Sequence, residues 1–111
     1  MKAIDRGQLL AQLKAILPQH CLIADRESQR PFECDGLALY RELPQLVVLP
    51  ETVAQVQAVL RCCHQLEVPI VARGSGTGLC GGAMPHPDGV LLGLSKLNRI
   101  LHIDPTARTA R

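Results

Sequence analysis

A chain of 111 residues with 47% hydrophobic and 20% charged content has the make-up of one globular domain, which excludes a disordered or low-complexity protein. The net charge of +2 is scattered along the chain, and only 2% of residues are aromatic. Neither a nucleic-acid footprint nor an anionic-membrane footprint follows from that balance.

The five cysteines (Cys21, Cys34, Cys62, Cys63, Cys80) form no CxxC pair and no zinc-finger spacing with histidine. No signal-peptide pattern opens the chain, and no apolar run is long enough to span a bilayer. The expectation is reduced thiols in a cytoplasmic protein, with any membrane association arising through partner subunits. His20, His64, His86 and His102 show no pairing at metal spacing, so no metal ligand is expected.

Asp5 with Gln8 reads as the capping box of a first helix; Leu9, Leu10, Leu13, Ile16 and Leu17 give it one apolar face, and Pro18 ends it. Residues 19–45 read as short irregular pieces, including an apolar Cys21-Leu22-Ile23 and an Asp35-Gly36 turn. Leu46-Val47-Val48-Leu49, bounded by Pro44 and Pro50, is a buried strand. Thr52 and Gln55 cap a second helix whose inner face carries Val53, Val56, Val59, Leu60, Cys63 and Leu66. Pro69 stops it, and Ile70-Val71-Ala72 forms the next strand. Strand, helix and strand on short links predict a right-handed parallel crossover. Further on, Val90 to Leu94 is a third strand, Ser95 to Arg99 one helical turn, and Ile100 to Ile103 a fourth strand. Asp104-Pro105 is a turn, and Thr106 to Arg111 a fifth strand left without a partner.

Between the second and third of these strands lies Arg73-Gly74-Ser75-Gly76-Thr77-Gly78-Leu79-Cys80-Gly81-Gly82, five glycines in ten residues. Glycine reaches left-handed conformations and lets another molecule approach the backbone. Successive exposed N–H groups make a concave nest of positive partial charge suited to phosphate oxygens. Ser75 and Thr77 add hydroxyl donors, and Arg73 adds a fixed cation. A bare turn needs one or two glycines, so five imply a ligand that offsets their entropy.

Two other phosphate loops compete for this stretch. A P-loop needs Lys followed by Ser or Thr after its last glycine, whereas Ala83 and Met84 follow Gly82. Gly76-Thr77-Gly78-Leu79-Cys80-Gly81 matches the dinucleotide fingerprint G-x-G-x-x-G letter for letter, but that fingerprint must open a helix. Pro85 and Pro87 stand where the helix would grow, and a mid-helix proline costs about 3 kcal/mol or more. A diphosphate loop set between two strands remains.

The stretch Pro69 to Ala83, with Leu46-Val47-Val48-Leu49-Pro50-Glu51-Thr52 before it, resembles the FAD-binding domain of vanillyl-alcohol-oxidase-type (PCMH-type) flavoproteins. Within that family it is most similar to the branch holding the D subunit of bacterial glycolate oxidase and the D-lactate and D-2-hydroxyglutarate dehydrogenases. Phe32 to Leu37, Tyr40-Arg41 and Gly89 to Leu92 extend the likeness.

The resemblance implies an α+β fold with an α/β-like start: an N-terminal helix, then strand, helix, strand, glycine loop, strand, strand. It implies an N-terminal helix and irregular segment over 1–45, and over 46–111 the first part of an FAD-binding domain that stops before its end. By the same resemblance the cofactor is FAD, with Arg73, Gly74, Ser75, Gly76, Thr77, Gly78 and Leu79 around its pyrophosphate. Gly81 and Gly82 would continue toward the flavin, and Pro50 would lie near the adenine. No His lies between Arg73 and Met84, so the FAD is expected to be non-covalent. The implied activity of the full-length parent is oxidation of a small 2-hydroxy acid such as glycolate or D-lactate, with other oxidase subunits as partners. This stretch alone would be inactive. The alternative is a non-catalytic nucleotide-binding or subunit-interaction module.

Overall fold

The computed structural model describes residues 6–32, 44–77 and 82–111. The Asp5 cap, the Asp35-Gly36 turn, Cys34, Tyr40-Arg41 and the stretch Gly78, Leu79, Cys80, Gly81 lie outside them.

Helix α1 spans Arg6–Ile16 and buries Leu9 and Leu13, four residues apart on one face, as its leucine spacing requires. Pro18 holds an extended backbone and stops it, and a 3-10 turn, Gln19–Cys21, follows. A short strand β1 (Leu22–Ile23), a single-turn helix α2 (Arg26–Gln29) and a second 3-10 turn (Arg30–Phe32) occupy the stretch read as irregular. Asp25 caps α2 by accepting from the N–H of Ser28. The buried Gln29 amide donates to the carbonyls of Ile23 and Gln45, at 3.0 and 3.3 Å, so a polar side chain inside the fold has its partners.

Strand β2 spans Leu46–Val48 and helix α3 spans Val53–Gln65. The Thr52 hydroxyl accepts from the N–H of Gln55 at 3.2 Å. In return the Gln55 side chain accepts from Glu51, one residue before the cap, at 2.7 Å. The predicted inner face of α3 is corrected at two positions: Val53 and Leu60 are 65% and 42% exposed, while Val59, Cys62 and Cys63 are buried. Strands β3 (Ile70–Arg73) and β4 (Val90–Gly93) follow.

The sheet order is β1-β2-β4-β3, with β4 parallel to both neighbours and β1 antiparallel to β2. The β2–α3–β3 crossover therefore joins strands that are not adjacent, because β4 enters between them. Every residue of β2 and β4 is buried, as the middle strands of a covered parallel sheet must be. Leu46, Val48, Val90 and Leu92 share one core with Leu9 and Leu13 of α1 and Val59 and Cys63 of α3. Val47 and Leu91, paired in register, are buried on the other side.

Three further expectations are corrected beyond β4. Ser95-Lys96 makes a turn, closed by the Leu97 N–H on the Leu94 carbonyl at 3.0 Å, rather than a helical turn. Of the expected fourth strand only Ile103 is extended, and with Asp104 it forms β5. The last strand, β6 (Thr109–Ala110), does have a partner: it pairs antiparallel with β5. The Asp104 carboxylate accepts from the N–H groups of Thr106 and Ala107, both at 3.1 Å, and so turns the chain back locally.

Candidate functional site

Three parallel strands end on one edge. Val48, Leu92 and Ala72 are level in the ladder, so Pro50, Leu94 and Gly74 stand level just past it. In open sheets with parallel strands this carboxyl edge is where ligands bind. Pro50 is fully buried at the end of β2. The glycine loop leaves from the end of β3, roughly 10 Å away across β4.

Arg73 is the loop's foundation. It is only 8% exposed, and its guanidinium donates to the carbonyl of Phe32 at 2.9 Å while lying 5.8 Å from the centre of the Phe32 ring. Its own carbonyl accepts from Leu94, anchoring the end of β3 to the chain after β4. Gly76 folds directly over the guanidinium: a Cβ there would lie 2.5 Å from Nε and from Nη2. Gly76 also has φ +73°, a left-handed conformation that costs other residues about 1–2 kcal/mol. The positive charge is thus held under the loop backbone, tied to a segment some 40 residues earlier.

Above that charge the backbone faces outward. Gly74, Ser75 and Thr77 are exposed, and nothing lies within 4 Å of where a Cβ of Gly74 would be. Among the described residues, the N–H groups of Gly74, Ser75, Gly76 and Thr77 make no hydrogen bond. Consecutive unpaired donors over a buried cation, with two hydroxyls beside them, fit a diphosphate. Gly82 is exposed in a turn, again with open space around it. No helix follows among the described residues, since the next regular element is β4. That removes the dinucleotide-fingerprint reading, which depends on a helix dipole. Gly78, Leu79 and Gly81, also expected in the site, lie outside the described residues.

Sequence reasoning missed two features here. Phe32, 41 positions before Arg73, is its carbonyl and ring partner, a pairing no local pattern encodes. The pairing of β1 with β2 likewise brings His20 and Cys21 against Glu51, where the histidines had shown no partner at metal spacing. The Glu51 carboxyl is held below its ordinary range by the Cys21 hydrogen bond first and His20 second. The Cys21 thiol is pushed up, mainly by burial. His86 has a turn role: its Nδ1 accepts from the N–H of Asp88.

A family model described as an FAD binding domain matches residues 44–111, a span holding the three parallel strands, α3 and the glycine loop. The chain belongs to that FAD-binding family. FAD is accordingly its cofactor. The chain is 47% identical over 108 residues to glycolate oxidase subunit GlcD of Escherichia coli K12, covering 97% of this chain and 22% of that protein. It is 33% identical over 98 residues to D-lactate dehydrogenase of Anaerostipes hadrus, covering 87% of this chain and 20% of the relative. Among solved structures, p-cresol methylhydroxylase with substrate bound aligns with a TM-score of 0.77 at 26% identity, over 89% of this chain and 20% of that one. The FAD-binding domain described here thus spans about a fifth of the length of the relatives it matches. No helix among its described residues is long and apolar enough to cross a membrane.

Proposed function

We propose that this FAD-binding domain holds the diphosphate of a non-covalently bound FAD for an oxidoreductase acting on a small 2-hydroxy acid such as glycolate or D-lactate. The observation that carries the binding role is the run of unpaired N–H donors from Gly74 to Thr77 over the buried Arg73 guanidinium. Gly74, Ser75, Gly76, Thr77 and Gly82 would present donors to the phosphate oxygens, with Gly78, Leu79 and Gly81 continuing the loop. Pro50 would bound the adenine end from β2. The substrate class rests on the relatives, one described as a glycolate oxidase subunit and one as a D-lactate dehydrogenase. Other oxidase subunits are proposed as partners on the strength of the first description.

When bound, the flavin supplies the electron acceptor for hydroxy-acid oxidation. The described loop residues offer amide and hydroxyl donors and one cation, and none is an acid or base. Their part is to bind and orient, so this stretch by itself is expected to leave the flavin oxidised when glycolate is added.

The test is FAD binding by the purified chain, followed by fluorescence and equilibrium dialysis. The expected result is one FAD per chain, released intact on denaturation. Gly74→Ala adds a methyl on the open outer face of the loop, where it meets no protein atom within 4 Å. It should weaken FAD at least about tenfold while leaving stability within about 0.5 kcal/mol. Equal FAD affinity in the variant and the parent chain would remove the loop from the site.

A further inference from the structure

The carboxyl edge of the sheet carries a second group of side chains, beyond β2 on the side away from the loop. His20 and Cys21 immediately precede β1, and Glu51 immediately follows Pro50. The His20 Nε2 and the Cys21 thiol both reach Oε1 of Glu51, the thiol at 3.1 Å. One nitrogen, one sulfur and one carboxylate oxygen from these three residues all lie within 4.8 Å of one another.

We propose that His20, Cys21 and Glu51 form a binding site for a borderline divalent cation, zinc being the best match, with a fourth position left to water. Zinc takes sulfur, imidazole nitrogen and carboxylate oxygen together, at bond lengths of roughly 2.0–2.3 Å in a tetrahedron. Such bonds place neighbouring ligand atoms roughly 3.3–3.8 Å apart. The two contacts to Glu51 would widen to that spacing, and the third separation already lies within 4.8 Å. A thiolate disfavours magnesium and calcium, which take oxygen ligands.

The scaffold holds the donors in place without the ion. The N–H of Leu49 donates to the carbonyl of Cys21 at 2.8 Å, fixing the cysteine against the end of β2. The N–H of Cys21 closes the 3-10 turn on the carbonyl of Pro18 at 3.0 Å. Glu51 is held at the start of α3 through its N–H to the Gln55 side chain. Cys21 is fully buried, whereas the His20 and Glu51 side chains are 65% and 45% exposed, so two of the three donors face solvent and the sulfur is sheltered.

Charge closes as well. On binding, the Cys21 S–H bond breaks, sulfur donates its pair to the metal and the proton leaves to solvent. Thiolate and carboxylate then balance a divalent ion. Lys96 stands behind the sulfur, its Nζ 4.0 Å from Sγ and 3.5 Å from the carbonyl of His20, placed to hydrogen-bond the thiolate from outside the ligand set. The site uses no residue of the FAD loop, so it stands or falls apart from the proposed activity.

The test uses the reduced full chain without added flavin and Co2+ as the optical probe, with Zn2+ as competitor. The expected result is a near-ultraviolet thiolate-to-cobalt band that saturates at one equivalent and is abolished by Zn2+. Cys21→Ser should eliminate the band. Because Cys21 is buried, the decisive variants are the surface changes His20→Gln and Glu51→Gln, each checked for an unchanged circular dichroism spectrum. Each should weaken cobalt at least about tenfold, the loss common even for groups outside a metal's ligand set. The exposed His64→Gln should change nothing. A missing thiolate band, a band that survives Cys21→Ser, or unchanged cobalt affinity in both surface variants overturns the proposal.

Discussion

Gly76 and Gly74 sit two residues apart in the same loop and are glycine for different reasons. At Gly76 the backbone is left-handed and the space a Cβ would fill is occupied by the Arg73 guanidinium. Gly76→Ala therefore strains the backbone and displaces a buried cation from the Phe32 carbonyl. A loss of about 2–4 kcal/mol in chemical denaturation is expected, from the left-handed backbone and a disturbed charge-assisted hydrogen bond. At Gly74 the protein leaves the space open, so alanine there should act on FAD and spare the fold. A thermal midpoint that drops equally in both variants would contradict this division.

At the scale of elements, α3 connects the two halves of the crossover, and its ends are built differently. Its start follows the pattern written in the sequence, Thr52 capping through Gln55. Its end reverses through Glu67 at φ +55°, with the N–H of Val68 returning to the carbonyl of Cys63 at 2.8 Å. That is a helix terminus where glycine is the favoured residue. Glu67 is exposed and pays left-handed strain there, so Glu67→Gly is expected to stabilise the domain by about 0.5–1 kcal/mol. The readout is the urea midpoint, and a lower midpoint in the variant would refute the reading. Pro69, the residue taken from sequence as the stop, comes only after this reversal.

For the molecule as a whole, one core joins α1 and α3 to the sheet, and Cys62 and Cys63 lie within it. Burial, with Cys62 adding a smaller effect, pushes the Cys63 thiol up to about 11 from the ordinary 9.0. The unfolded chain thus loses this proton more easily than the folded one. The stability is fully present below pH 9 and is lost as pH rises toward 11, with a slope of at most about 1.4 kcal/mol per pH unit from this thiol. Urea midpoints measured from pH 8 to 11 should fall, and Cys63→Ala should flatten that fall while lowering stability at pH 8. An unchanged alkaline slope in the variant would place the effect elsewhere.

What the sequence determined by itself is what repeats locally or is crowded into few residues. The leucines of α1, the Thr52 cap, the apolar runs of β2 and β4 and the glycine stretch all declare themselves within a turn or two of chain, because periodicity and capping are short-range chemistry. The glycine stretch, with the strand before it, also carried the likeness to the FAD-binding family, which the match over 44–111 bears out. Only the tertiary structure decided that β4 enters between β2 and β3, that β1 joins the sheet, that β6 finds β5, and that Arg73 lies beneath its own loop against Phe32. It also decided that His20, Cys21 and Glu51 meet. Each of these unites residues that no local pattern links, since strand order and side-chain convergence are settled by burying one common core rather than by any neighbour in sequence.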